Sequence, residues 1–417
     1  MNRMPYRRLP AALAFAACLV SSTAVLVAAD KPRDTTDARL RQILREDPLI
    51  DGHNDIPWQY RLRANDLGAI DLAGDTRTLK RPLSTDIPRL RRGGVGGVFW
   101  SVYVPVTLRG EAAVRATFEQ IDVVHRLCAK HPDALELVRK ADDIERIHRA
   151  GRIASLIGME GGHSIDNSLG NLRKMHALGA RYMSLTHAAN TDWADAATDE
   201  PRARGLTAFG EDVVREMNRL GMLVDLSHVS KPTMLAAMTV SKAPVIFSHS
   251  SARALCDHPR NVDDETLRLL RENGGVIMIN FFPGYLVPAH AAYAEKLRVE
   301  RKRLQGIHGD NFSALDDGLA EWRQANPPPP NATLGDVADH LDHVLKVAGE
   351  DHVGLGSDFD GITYAPKGLE DVSCYPALFA ELQRRRWTRD EMKKLAGRNI
   401  LRVMHVAERV AQEQSAK

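Results

Sequence analysis

Histidine, aspartate and glutamate residues follow short apolar runs at several points of this sequence, and these residue types are ligands for divalent metals. His53 and Asp55 stand two positions apart after the first run, so their side chains can share one face of an extended segment. Glu160, His228 and His249 end three later runs. His53 and Asp55 could bind one ion and His228 and His249 a second, with Glu160 bridging the two.

Each of these residues alone has an ordinary structural explanation. A single histidine after a strand is more often a buried structural residue, and a lone glutamate before two glycines can cap a helix. Five coincident strand ends, the last of them carrying Asp358, are harder to explain in that way. Desolvated imidazoles and carboxylates are costly unless they are paired or bound to metal. The pattern therefore favours a metal site.

The elements that would position these residues form a pattern of eight units. Apolar runs rich in β-branched residues alternate with segments of helical period that close on glycine, as from Phe209 to Leu220 before Gly221. The runs lie near residues 48–53, 95–104, 152–159, 180–187, 222–228, 243–249, 275–282 and 352–358. This alternation predicts an α/β fold whose parallel sheet closes into a (β/α)8 TIM barrel, with the active site at the carboxyl ends of the strands.

Two stretches exceed the minimal barrel, at about residues 54–94 and 284–334. Insertions of this length are typical of lids or binding loops, and a surface insertion or a dimer contact is an equally weighted alternative. After the last run, residues 375–412 predict two amphipathic helices that pack on the barrel. No long internal linker divides the chain, so residues 30–417 are expected to form a single metallohydrolase domain.

The first 29 residues have the pattern of a secretory signal peptide. Arg3, Arg7 and Arg8 precede an apolar run of small residues, and residues 27–29 fit a small-x-small cleavage site. Export to the periplasm or the medium is therefore expected. An uncleaved anchor and lipoprotein attachment at Cys18 remain the alternatives.

Composition and charge exclude several classes of partner. The chain has 417 residues, of which 44% are hydrophobic and 26% charged, as is typical of a soluble enzyme without further membrane spans. The formal net charge is +2 and falls to −1 without the leader, so no basic surface for nucleic acid is expected. Cys128, Cys256 and Cys374 are too few and too scattered for a disulfide framework or a CxxC metal site.

Seven motifs together resemble the membrane (renal) dipeptidase family, zinc dipeptidases of the amidohydrolase-type barrels. They span about residues 47–405 and comprise Asp51-Gly52-His53-Asn54-Asp55, Gly158-Met159-Glu160-Gly161-Gly162, Leu185-Thr186-His187 with Trp193-Ala194-Asp195, Asp225-Leu226-Ser227-His228, Phe247-Ser248-His249-Ser250, Arg260-Asn261-Val262 and Gly356-Ser357-Asp358-Phe359-Asp360-Gly361. The resemblance implies two Zn²⁺ per chain, bound by the five residues named above, a dipeptide substrate and a homodimer.

The same resemblance implies roles for four more residues. His187 would contact the substrate and stabilise the tetrahedral intermediate, Arg260 would bind the substrate, and Tyr285 would lie beside it. Asp358 would handle the proton. Asp360 competes for that role, but Asp358 comes first after the predicted strand.

These observations and the resemblance predict a secreted dinuclear zinc dipeptidase that cleaves dipeptides by a metal-bridging hydroxide. They leave open whether the C-terminal residue of the dipeptide is an L- or a D-residue. A hydrolase of N-acyl amino acids, lactones or β-lactams would use the same site. A metal-binding protein that has lost its catalysis is the alternative from another class.

Overall fold

Nine strands form the central sheet of the chain in the computed structural model, which describes residues 35–309 and 312–416. The strands are β1 (Leu49–Asn54), β2 (Val95–Ser101), β3 (Leu135–Leu137), β4 (Ile153–Glu160), β5 (Ala180–Ser184), β6 (Leu223–Asp225), β7 (Ile246–Ser250), β8 (Val276–Ile279) and β9 (Val353–Leu355). Every neighbouring pair is parallel.

Eight of these strands close on themselves. Their order is β2-β1-β9-β8-β7-β6-β5-β4, and β2 also pairs with β4, from Gly97 opposite Ala154 to Ser101 opposite Gly158. All residues of β1, β2 and β4 are buried, as expected for strands covered on both faces. The (β/α)8 TIM barrel predicted from the alternating pattern is confirmed.

The strand β3 was not predicted. It pairs with the first half of β4, with Leu135 opposite Ile153, whereas the second half of β4 pairs with β5. A strand of three residues is too short to show a period of two, so the sequence pattern does not reveal it. It lies beside the barrel without altering its closure.

Sixteen α-helices accompany the strands in the described ranges. They are α1 (Thr35–Glu46), α2 (Ile56–Arg61), α3 (Ile87–Arg92), α4 (Glu111–Lys130), α5 (Ala141–Arg149), α6 (Leu169–Ala177), α7 (Ala208–Leu220), α8 (Lys231–Val240), α9 (Asp264–Asn273), α10 (Pro283–Leu286), α11 (Pro288–His308), α12 (Phe312–Ala325), α13 (Leu334–Ala348), α14 (Tyr375–Arg384), α15 (Arg389–Lys393) and α16 (Asn399–Ser415).

The helix α7 shows how the local sequence sets these boundaries. The Thr207 hydroxyl accepts a hydrogen bond from the Gly210 amide at the first turn, and Gly221 ends the helix in the left-handed region at φ 69°. Glycine adopts this conformation at little steric cost. The predicted helical segment from Phe209 to Leu220 agrees with these bounds.

The first of the two predicted insertions is mostly turns and loops with two short helices, whereas the second is largely helical. The first contains α2 and α3, and the second contains most of α10 together with α11 and α12. Towards the C-terminus, α14 is followed by a nearly continuous helical stretch, in which a π-helical segment at Lys394–Arg398 joins α15 to α16. The two predicted C-terminal helices correspond to α14 and this stretch.

The predicted leader, residues 1–29, lies outside the described residues. From residue 35 onward, none of the described helices combines the length and the hydropathy that crossing a bilayer requires.

Candidate active site

The end of β1 is tied to the segment that follows β9. One carboxylate oxygen of Asp51 accepts hydrogen bonds from the backbone amides of His53, at 3.2 Å, and Ser357, at 2.8 Å. The other accepts from the Ser357 hydroxyl and from the Tyr375 hydroxyl, at 2.6 Å. A buried carboxylate with this many donors fixes two strand ends against each other. His53 therefore projects from a rigid support.

His53 directs one ring nitrogen towards two carboxylates. Its Nε2 lies 3.3 Å from Oδ2 of Asp55 and 3.6 Å from Oε2 of Glu160. Its Nδ1 lies 2.9 Å from the hydroxyl of Tyr182, which itself donates to the Gly52 carbonyl at 3.2 Å. The hydroxyl proton is used in that bond, so Tyr182 accepts from Nδ1–H. In the neutral ring, Nε2 then carries the lone pair that a metal would use.

His228 and His249 converge on the other oxygen of Glu160. Their Nε2 atoms lie 2.9 Å and 3.5 Å from Oε1 of Glu160 and 2.8 Å from each other. The Ser248 hydroxyl donates to Asp225 at 2.7 Å and lies 2.8 Å from Nδ1 of His249. It therefore accepts from Nδ1–H, and Nε2 of His249 keeps its lone pair.

The charge states of these groups suit metal binding, except that His53 would release a proton when an ion binds. Burial opposes the charge of His53, but the neighbouring Tyr182, Glu160 and Asp55 raise its pKa well above the usual value. Burial lowers the pKa of His228 and of His249 well below the usual value, so both are neutral near pH 7. Burial opposes ionisation of Glu160, but the adjacent His53 and His187 hold the pKa of this carboxyl well below its usual range. Neutral imidazole and ionised carboxylate are the forms that bind divalent ions.

A buried atom without a partner tests whether these residues fit a metal. Nε2 of His53 is buried and has no hydrogen-bond partner among the described residues. Three overlapping groups place one ligand atom per residue within 4.8 Å of one another, and they are His53–Glu160–His249, Glu160–His187–His228 and His53–Asp55–Asp358. A donor set of imidazole nitrogens and carboxylate oxygens fits zinc and similar ions.

Asp358 and Asp360 lie in different surroundings. Asp358, at φ 65°, lines the cavity above Glu160, and its Oδ2 accepts from the Asn280 amide at 2.9 Å. Burial raises the pKa of Asp358 to about 8, and the nearby Asp55 and Glu160 act in the same direction. Asp360 instead accepts from the Ser84 amide at 2.7 Å and is not among the described residues that line the cavity.

Arg260 is a buried cation without a carboxylate partner. Its guanidinium is 2% exposed and donates to the Ser250 hydroxyl at 3.3 Å and to the His249 carbonyl at 3.2 Å. Its Cζ lies 5.2 Å from the ring centre of Tyr285. In the described part of the chain, no carboxylate lies within ion-pair distance and Nε has no hydrogen-bond partner. A buried charge of this kind is energetically costly unless a ligand of opposite charge neutralises it.

These groups surround one open cavity of about 400 Å³. Eight of the nine predicted site residues line it, and His53 lies buried beside them. The lining residues are Asp55, Trp58, Tyr103, Glu160, His187, His228, His249, Arg260, Phe282, Tyr285, Arg301, Asp358, Gly361, Ile362 and Thr363. The structure thus brings these nine residues together and leaves the competing candidate Asp360 outside the cavity lining.

Four residues with polar contacts to this cluster were not predicted. Tyr182 and Ser248 orient histidines, Asn280 donates to Asp358, and the Ser101 hydroxyl donates to Oε2 of Glu160 at 3.1 Å. Ser248 is adjacent to His249, which was a usable signal. The other three lie in or just after strands, where the pattern alone shows no difference from core residues.

Comparison with known proteins agrees with this geometry. The family model described as membrane dipeptidase (peptidase family M19) matches residues 37–417. Dipeptidase 3 of Rattus norvegicus is 40% identical over 388 residues, which cover 91% of this chain and 70% of the rat protein. Dipeptidase aclJ of Aspergillus oryzae is 42% identical over 388 residues, which cover 89% of this chain and 81% of the fungal protein.

A solved structure shares the fold and part of the sequence. It is a metallopeptidase from Rhodobacter sphaeroides, liganded with a phosphinate mimic of the dipeptide L-Ala-D-Ala. The two chains are 26% identical and superpose with a TM-score of 0.70 over 86% of this chain and 99% of the other. The family match over nearly all the described residues and the dipeptidases among its relatives make this chain a metallo-dipeptidase, a member of the membrane dipeptidase family, peptidase family M19.

Proposed function

We propose that this chain is an exported dinuclear zinc dipeptidase that hydrolyses free dipeptides. The observation that carries this proposal is Arg260, a buried guanidinium without a carboxylate partner in the described residues, at the wall of the cavity that holds the metal-ligand cluster. A dipeptide offers a free carboxylate close to its scissile bond, whereas an internal peptide bond does not. Arg260 can bind such a group through charge-assisted hydrogen bonds.

The proposed ligand sets follow from the distances around Glu160. His53 and Asp55 would hold one ion, His228 and His249 the other, and Glu160 would bridge them, since His53 faces its Oε2 whereas His228 and His249 face its Oε1. When bound, the two ions would supply a water of lowered pKa as nucleophile and a Lewis acid for the scissile carbonyl.

The remaining chemistry belongs to two side chains of the cavity wall. Asp358 would accept the proton of the attacking water and pass it to the departing amine, which is ordinary general acid–base catalysis. Its pKa of about 8 applies without metal ions, and two bound cations would lower that pKa and keep the carboxylate ionised before the transfer. His187, whose side chain is 19% exposed at the cavity, would donate a hydrogen bond to the oxygen of the tetrahedral intermediate. Tyr285 lies against Arg260 and would form part of the substrate-binding wall.

Three further properties belong to this proposal. A D-residue at the C-terminal position is supported by the ligand of the Rhodobacter sphaeroides relative, which mimics L-Ala-D-Ala. Export is supported by the leader pattern of residues 1–29. A homodimer is what the family resemblance implies.

Hydrolysis by purified residues 30–417 tests the proposal. The substrates are L,L and L,D dipeptides, N-acetyl amino acids, a β-lactam and one tripeptide, before and after chelation and with zinc re-addition, with metal content measured on the same sample. We expect chelator-sensitive cleavage of dipeptides alone and about two metals per chain. If the protein bound two metals but hydrolysed only acyl amino acids or the β-lactam, the metal site would stand and the substrate class would not be dipeptides. A protein with bound metal and no turnover would have lost its catalysis.

The proposed binding of the free substrate carboxylate by Arg260 has a separate test. Arg260→Ala should raise KM for dipeptides, and it should make little difference to a dipeptide amide, which lacks the free carboxylate. An unchanged KM for free dipeptides would show that Arg260 does not bind the substrate carboxylate.

A further inference from the structure

A second arginine lines the cavity, and the mechanism does not use it. Arg301 lies on α11, within the insertion after β8, and its side chain is exposed at the cavity wall. We propose that Arg301 binds the side-chain carboxylate of an acidic residue at the C-terminal position of the dipeptide. This inference rests on the proposed function and names its preferred substrate class.

The other two arginines of α11 are paired with glutamates, but Arg301 is not. Arg298 forms a bidentate ion pair with Glu295, and Arg303 forms one with Glu300. Among the described residues, no carboxylate lies within 4.0 Å of the Arg301 guanidinium, and no hydrogen bond engages it. Of the three arginines of α11, the one without a partner among the described residues is therefore also the one that lines the cavity.

Barrel topology places Arg301 on the C-terminal side of the substrate. Arg260 follows β7, whereas Phe282, Tyr285 and Arg301 follow β8, which is the neighbour of β7 in the sheet. The Tyr285 ring already contacts Arg260. When Arg260 holds the α-carboxylate, the side chain of the same residue lies next to the wall formed by the β8 connection. That wall carries Arg301.

The distribution of charge in the cavity favours an acidic substrate side chain beside the wall that carries Arg301. Asp55, Glu160 and Asp358 line the part that faces the metal cluster, and they would repel a further carboxylate placed there. Arg301 is the only lining cation besides Arg260 in the described ranges, and a planar guanidinium binds carboxylate bidentately. An acidic side chain is therefore stabilised only at the wall that carries Arg301.

Substrate pairs that differ in one charge test the proposal. The zinc-loaded protein is assayed with alanyl-glutamate, alanyl-glutamine, glutamyl-alanine and alanyl-lysine. Arg301→Gln should lower the kcat/KM ratio of alanyl-glutamate over alanyl-glutamine by about two- to fivefold, mainly through KM, because an exposed charge-assisted contact is lost. Arg301→Lys should restore part of the ratio, and Arg301→Glu should shift preference towards alanyl-lysine. Arg298→Gln, on the same helix, is the matched control and should leave the ratio unchanged.

Two results would overturn the inference. An unchanged ratio in Arg301→Gln would remove Arg301 from recognition, and an effect on glutamyl-alanine instead would place the acidic residue at the other position. Both results keep hydrolysis of alanyl-glutamine, which distinguishes them from failure of the proposed function, where no dipeptide is cleaved by the unaltered protein.

Discussion

The Tyr182 hydroxyl lies 2.9 Å from Nδ1 of His53 and donates its own proton to the carbonyl of Gly52. Both side chains are fully buried, and burial raises the pKa of Tyr182, which keeps the phenol protonated. In the neutral ring, this contact selects the tautomer of His53 that leaves Nε2 free for a metal, and in either charge state it fixes the plane of the ring. A residue of β5 thus controls a proposed metal ligand of β1.

Tyr182→Phe should weaken zinc binding by about 10- to 100-fold, the usual cost of removing a partner that orients a metal-binding histidine. The dissociation constant is measured by competition with a chromophoric chelator. Tyr60→Phe is the matched control, because Tyr60 is equally buried and its hydroxyl donates only to the Ile70 carbonyl. Equal zinc affinities in the two variants would show that Tyr182 does not orient His53.

Ser248→Ala should destabilise the metal-free protein by about 1–3 kcal/mol, because it leaves Nδ1 of His249 and one oxygen of the buried Asp225 without their partner. Urea denaturation in the presence of a chelator measures this loss. Ser164→Ala serves as control, since the Ser164 hydroxyl is buried without a hydrogen-bond partner in the described residues. A similar loss in both variants would mean that the Ser248 contacts contribute nothing.

Asp358→Asn should keep the metals and lower kcat by about 10²- to 10⁴-fold, because the amide cannot carry the proton. Asp360→Asn should lower kcat far less, since Asp360 accepts from the Ser84 amide and an asparagine oxygen can do the same. Metal content and kcat are measured on the same samples. A metal-depleted Asp358→Asn protein, or an equal loss of kcat in Asp360→Asn, would contradict the assignment.

The sequence predicts the barrel and the cluster for a common reason. Each candidate ligand directly follows a strongly apolar run, and parallel strands end at one edge, so strand ends alone bring His53, Glu160 and His249 together. The role of Tyr182 was not predicted because it lies within β5, where a large aromatic residue cannot be distinguished from an ordinary core residue by sequence. Its role depends on the register between strands, which the order of residues does not reveal.

The insertion after β8 is a second feature whose role could not be predicted from the sequence. Its length predicts a lid, a surface insertion or a dimer contact with equal force, because length does not say over which strands an insertion folds. The structure shows that Arg301 of α11 lines the cavity, whereas Arg298 and Arg303 are paired with glutamates on their own helix. Charge spacing shows that Arg298 and Arg303 each follow a glutamate by three positions and that Arg301 does not, but it cannot show which arginine faces the cavity.

Gly361→Ala should remove metal and activity together. A β-carbon at Gly361 would lie 2.1 Å from Oδ2 of Asp55 and 2.7 Å from Oδ1 of Asp358, distances that force both carboxylates to move. Because Asp55 is a proposed ligand, we expect a metal content below two per chain and a loss of kcat that excess zinc restores only in part. Gly306→Ala is the control, since its added carbon meets nothing within 4 Å. A Gly361→Ala protein with two metals and an unaltered kcat would show that Asp55 and Asp358 need not occupy these positions, and the proposed ligand set would then have to exclude Asp55.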